Sequence, residues 1–128
     1  MGHKVLIVDD EEEVRVILAH EFKRHGCDVL LAEDGQKALE IVKANRIDMI
    51  LTDLRMPKMG GIELTETVDA MPEDERPIVI TMTGYVKAKE SDVIDSGASG
   101  FLSKPFSRDQ IKEIVDEFLS LIPIRSEE

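Results

Sequence analysis

Four short runs of unbroken apolar residues, separated by stretches of helical periodicity, constrain this chain more than any other feature. The runs are Val5-Leu6-Ile7-Val8, Val29-Leu30-Leu31-Ala32, Met49-Ile50-Leu51 and Ile78-Val79-Ile80. Each has the length of a strand, and the best of them show no alternation of polar with apolar positions. Successive side chains on a strand point to opposite faces, so such runs are expected to be buried on both sides of a sheet.

The intervening stretches have a different period. Val14, Ile17, Leu18 and Phe22 fall on one helical face, as do Ala38, Leu39 and Val42, and then Leu64, Val68 and Met71. The last helix carries Ile111, Ile114, Val115, Phe118, Leu119 and Ile122, and Ser107 with Gln110 three residues on has the pattern of a capping box. A thinner helix is expected around 87–96, where Val93 and Ile94 are almost the only large apolar residues. Gly26, Gly97 and Gly100, with Pro57, Pro72 and Pro77, punctuate the chain between elements. The order is βα repeated five times. That order predicts an α/β fold: an open, doubly wound, five-stranded parallel sheet in the flavodoxin-like order 2-1-3-4-5, with helices on both faces. A closed eight-stranded barrel needs about twice the length.

At 128 residues a single domain is expected. Residues 3–122 are assigned to it, and 123–128 to a short tail without an output domain. Sixteen Lys+Arg against 27 Asp+Glu leave a net charge of −11, the wrong sign for neutralising nucleic-acid phosphates, so no direct nucleic-acid partner is expected. The apolar runs are too short to span a bilayer and no signal-peptide pattern opens the chain, which predicts a cytoplasmic protein without membrane insertion. Cys27 is the only cysteine, which rules out an intrachain disulfide and suits a small buried apolar residue. His3, His20 and His25 have no mutual spacing that suggests a metal site.

Ligands of open α/β sheets bind beyond the carboxyl ends of the strands. There the first strand ends in Asp9-Asp10, the third in Asp53, the fourth in Thr83 and the fifth in Lys104, whereas the second ends in an ordinary Glu33-Asp34-Gly35 turn. Three carboxylates, one hydroxyl and one ammonium therefore converge on one edge. Close carboxylates repel, and a hard divalent cation relieves this; Mg²⁺ takes oxygen ligands, commonly one or two carboxylates plus a phosphoryl oxygen. A remaining carboxylate can attack phosphorus, with the added charge stabilised by the cation and by an ammonium such as Lys104. Taken singly, each residue has a plainer explanation. Asp9 and Asp10 open an acidic run at a helix start, where the dipole favours negative charge, and Thr83 or Lys104 alone carries little weight. Asp53 is different, because it follows Met49-Ile50-Leu51-Thr52, where burial makes an unpartnered charge costly.

With these residues in view, the chain resembles the response-regulator receiver family of two-component signalling, typified by the chemotaxis regulator, over essentially its whole length. The resemblance rests on Val5-Leu6-Ile7-Val8-Asp9-Asp10, Asp53-Leu54-Arg55-Met56-Pro57, Thr83-Gly84 and Lys104-Pro105-Phe106. It implies that Asp53 is the phosphoacceptor, Asp10 a direct Mg²⁺ ligand and Asp9 a ligand acting partly through water, with Mn²⁺ able to substitute. Asp53 and the main-chain carbonyl of Arg55 would complete the protein's ligands. Lys104 would contact the phosphoryl group, Lys104-Pro105 would be a cis bond, and Thr83 with Phe101 would form a switch pair. It further implies a histidine kinase or histidine phosphotransfer protein as donor. The face formed by the helix around 87–96, the strand after it and the last helix would then control an unidentified protein target. The only catalysis expected is the domain's own phosphoryl transfer and dephosphorylation. Gly60-Gly61 stands where the family often has Asp or Asn, and Arg55 and Tyr85 occupy positions that vary and tune the phosphoryl lifetime.

Other functions fit less well. Phosphatases of the haloacid-dehalogenase type also use a strand-end aspartate, but their acid/base aspartate two positions later is Arg55 here. The intact set Asp9, Asp10, Asp53, Thr83 and Lys104 argues against a passive module, and neither GxGxxG nor GxxxxGK[ST] follows the first strand as a nucleotide site would require.

Overall fold

The computed structural model describes residues 2–53, 61–72, 76–83, 100–103 and 107–119, with side chains described for all of these except 61, 62, 83 and 100–103. Strand β1 (Lys4–Val8) lies between β2 (Asp28–Ala32) and β3 (Met49–Asp53); β4 (Ile78–Thr83) pairs with β3, and β5 (Gly100–Ser103) with β4. Every pairing is parallel, and the order β2-β1-β3-β4-β5 reverses direction at β1. The helices are α1 (Glu12–Arg24), α2 (Gly35–Ala44), α3 (Gly61–Asp69) and α4 (Arg108–Glu117). The flavodoxin-like character and the order 2-1-3-4 agree with the sequence pattern. The helix expected at 87–96 lies outside the described residues. Among those described, no helix is long and apolar enough to cross a membrane.

Two separate cores explain why the strand sequences are apolar at consecutive positions. Val5 and Ile7 of β1, Met49 and Leu51 of β3, and Ile80 and Met82 of β4 pack with Leu18 and Phe22 of α1 and Ile111 and Ile114 of α4. The alternate residues Leu6, Val8, Ile50 and Val79 pack on the opposite face with Ala38 and Val42 of α2 and Leu64 and Val68 of α3. One strand thus serves two layers, as its period of two requires.

Local chemistry sets the helix ends. Asp34 begins α2 by accepting a hydrogen bond from the Lys37 N–H at 2.8 Å. Ser107 and Gln110 form the expected capping box, with bonds of 2.7 and 3.2 Å. Gly26, at φ 82°, ends α1 in the left-handed region that glycine tolerates, and its N–H reaches the Lys23 carbonyl at 3.0 Å. Buried Glu21 pairs with Arg108 at 3.0 Å and ties α1 to α4. Cys27 is buried, and burial, reinforced by Asp28 and Asp48, pushes its thiol up to about 11.

Two expectations need correction. Ile17, placed on the buried face of α1 by its spacing, is 59% exposed. It lies about 100° round the helix from Leu18, outside the arc that Leu18 and Phe22 press against the sheet. The second strand lies at the sheet edge, as the order 2-1-3-4-5 predicts, but its apolar run is not covered on both faces, since Leu31 is 40% exposed. Phe22→Ala should therefore cost about 3–5 kcal/mol in urea denaturation, and Ile17→Ser no more than about 0.5 kcal/mol. Comparable losses would put Ile17 in the core after all.

Candidate functional site

Register builds the site. Val8 of β1 is the partner of Thr52 of β3 in a parallel ladder, so the next residues on the two strands, Asp9 and Asp53, emerge side by side at the carboxyl edge of the sheet. Adjacent strands lie about 4.8 Å apart. Asp10 follows Asp9, and one carboxylate oxygen from each of Asp9, Asp10 and Asp53 lies within 4.8 Å of the others. Asp9 is fully buried, Asp53 is 9% exposed and Asp10 is exposed. The group is therefore rooted in the interior and open to solvent on one side.

Asp9 is fixed at three points. Its N–H donates to the Ala32 carbonyl at 3.2 Å, which extends the β1–β2 pairing. Its Oδ1 accepts from the Glu11 N–H at 2.8 Å, and its main-chain carbonyl accepts from Arg15 Nη1 at 2.7 Å. Asp53 is steadied from behind, where the buried Thr52 hydroxyl donates to the Asp53 carbonyl at 3.0 Å. Glu12 and Glu13 lie in the first turn of α1, where the helix dipole favours them.

Of the residues singled out in the sequence, the fold brings together Asp9, Asp10 and Asp53. Thr83 ends β4, one residue beyond Met82, the β4 partner of Asp53, so its backbone borders the same edge. Phe101 lies on β5 opposite Thr81, and Ser103, the partner of Thr83, is the last residue of β5. Arg55, Lys104 and Pro105 lie outside the described residues. Arg15 and Thr52 were not singled out. Arg15 could have been noticed as the first basic residue after an acidic run of five, whereas Thr52 looks like any strand threonine.

Three carboxylates at this spacing offer the all-oxygen donor set that hard divalent cations prefer, so the residues present fit Mg²⁺. At 4.8 Å, two unit charges repel by about 1 kcal/mol in water and about 3–4 kcal/mol at an effective dielectric of 20. A cation therefore relieves a cost that the fold imposes.

Comparisons with known proteins agree with this geometry. The family model described as the response regulator receiver domain matches residues 5–116. Sporulation initiation phosphotransferase F of Bacillus subtilis is 35% identical over 125 residues, covering 94% of this chain and 97% of that protein. The regulatory protein AtoC of Escherichia coli is 32% identical over 126 residues, covering 98% of this chain, which spans only 27% of AtoC. Among solved structures, a chemotaxis response regulator of Vibrio cholerae superposes with a TM-score of 0.84 at 28% identity, covering 93% of this chain and all of that one. The response regulator TrrA of Thermotoga maritima, solved in complex with Mg²⁺ and BeF, gives 0.81 at 28% identity, covering 91% of this chain and 99% of that one. With its parallel sheet, its carboxylate edge and a match along most of its length, the chain belongs to the response regulator receiver domain family of two-component signalling.

Proposed function

We propose that this chain is a phosphoacceptor switch in which Asp53 takes a phosphoryl group from a histidine kinase or a histidine phosphotransfer protein. The observation that carries the proposal is the convergence of Asp9, Asp10 and Asp53 within 4.8 Å at the carboxyl edge of the sheet. Asp53 is the natural nucleophile of the three. It ends a fully buried strand and its backbone is held by Thr52.

In the transfer, an Asp53 oxygen attacks phosphorus in line with the leaving nitrogen of a phosphohistidine. The new O–P bond forms as the N–P bond breaks, giving an aspartyl phosphate and returning the imidazole. A small acyl phosphate would react in the same way and release its carboxylate. Bound Mg²⁺, or Mn²⁺ in its place, offsets charge on the transferring oxygens. We assign Asp9, Asp10, Asp53 and the main-chain carbonyl of Arg55 to hold it, and Lys104, just beyond Ser103 and before Pro105 in the expected cis bond, to contact the phosphoryl group. We also take the domain to be cytoplasmic, to comprise residues 3–122 with 123–128 as a tail, and to include all five βα units. The domain catalyses only its own phosphoryl transfer and dephosphorylation.

Intact-mass measurement after acetyl phosphate or phosphoramidate treatment should show a single added phosphoryl group in the presence of Mg²⁺. None should appear in chelator or in Asp53→Asn. A label that persists in Asp53→Asn would contradict the assignment.

Readout is assigned to Thr83 and Phe101 and, through them, to the 87–96 segment, β5 and α4, the face that would meet a downstream protein. Thr83 follows the β4 partner of Asp53, and Phe101 lies beyond the segment that joins β4 to β5. A hydroxyl drawn to the phosphoryl group would leave space for the aromatic ring. Phosphorylation can shift a population only through a differential interaction with its two states, and the Thr83 hydroxyl supplies one. Hydrogen exchange over 84–97 should change when a beryllofluoride mimic binds, while β1 and α1 change little beyond the site. Thr83→Ala should still be phosphorylated but lose most of that remote change; an undiminished response would contradict the switch.

A further inference from the structure

We infer that Arg15 is a positioning residue for the acidic cluster: its guanidinium, bonded to the main-chain carbonyl of Asp9, sets the orientation of the peptide that carries Asp10. The inference rests on the proposed role of the cluster as a divalent-cation site. Asp10 is exposed, so packing cannot hold it in place, whereas the neighbouring Asp9 is buried. The bond next to it that the structure shows acts on the backbone, at the Asp9 carbonyl.

A peptide group is planar, so the carbonyl oxygen of Asp9 and the nitrogen and Cα of Asp10 share one plane. A bond that pins that oxygen therefore fixes where the Cα of Asp10 stands. Arg15 Nη1 makes this bond at 2.7 Å, shorter than the 3.2 Å bond from the Asp9 N–H to Ala32 and of the length typical for a charged donor. Arg15 is itself anchored, since its N–H donates to the Glu11 carbonyl at 3.2 Å in the first turn of α1. The tie closes a short loop between strand end and helix start. In that loop the Glu11 N–H also holds Asp9 Oδ1 at 2.8 Å.

Arg15 also brings a positive charge to the main-chain carbonyl of Asp9, at the base of the cluster, and charge and positioning predict opposite results when it is removed. By charge alone, losing a nearby cation makes the cluster more attractive to a divalent ion. If Arg15 positions the cluster, its loss lets the Asp9-Asp10 peptide turn and weakens binding, as the loss of groups that orient metal ligands does, by roughly tenfold or more.

The experiment is titration of the metal-free protein with Mn²⁺, followed by the spin-resonance signal of the free ion, with Mg²⁺ added in competition. Wild type, Arg15→Ala and Arg15→Met are compared, the last retaining an apolar stem without a donor. A melt in chelator checks that each variant is folded. The expected result is a dissociation constant raised about tenfold or more in both variants, with metal-free melting temperatures close to wild type. Unchanged or tighter binding in the folded variants would overturn the inference. Failure of both to fold would equally overturn it, by making the bond a general stability contact. If wild type itself binds no Mn²⁺, the cation role of the cluster fails instead, an outcome distinct from either of these.

Discussion

Mutual repulsion among Asp9, Asp10 and Asp53 is the constraint on which the rest of this structure depends. Carboxylate oxygens held within 4.8 Å of one another would separate if their backbones were free. They are not free. Asp9 and Asp53 continue adjacent parallel strands whose register pairs Val8 with Thr52, and moving them apart would break the ladder between β1 and β3. The fold accepts a local electrostatic cost at one edge, and that cost is what makes the edge receptive to a cation.

The cores on the two faces of the sheet supply the rigidity. Because β1 and β3 are central, their side chains alternate between a layer with α1 and α4 and a layer with α2 and α3, so a shift of either strand would disturb both. Side-chain bonds then refine what packing begins: Thr52 holds the Asp53 carbonyl, Glu11 the Asp9 carboxylate, and Arg15 the Asp9 carbonyl. The order reversal that starts at β1 also explains why the cluster forms where it does, since binding crevices open at such switch points.

Much of this could be read from the residues. Unbroken apolar runs such as Val5-Leu6-Ile7-Val8 betray a strand covered on both faces, and the convergence of Asp9, Asp10 and Asp53 follows once strand ends are aligned at one edge. The failures share a physical cause. Ile17 fits a helical spacing but not the narrower arc that contacts the sheet, and Leu31 belongs to an apolar run whose strand is uncovered by its edge position. A helix's contact arc is not a local property, and although the order 2-1-3-4-5 puts the second strand at the edge, how far the helices cover an edge strand is not local either. Arg15 was missed for a similar reason, because its role is a bond to a main-chain carbonyl, and any side chain with a donor at the right distance could make such a bond.

The central claim is that the fold holds these carboxylates together against their repulsion, and that a divalent cation relieves it. Urea denaturation of wild type and Asp10→Asn, each in chelator and in saturating Mg²⁺, tests it directly. In chelator, Asp10→Asn should be the more stable by on the order of 1 kcal/mol, because one repelling charge is gone. In Mg²⁺ the order should reverse, since a ligand at a hundred times its dissociation constant stabilises the folded wild type by about 2.7 kcal/mol and the variant should lose most of that gain. If Asp10→Asn is no more stable than wild type in chelator and both respond equally to Mg²⁺, the cluster is neither strained nor the cation site.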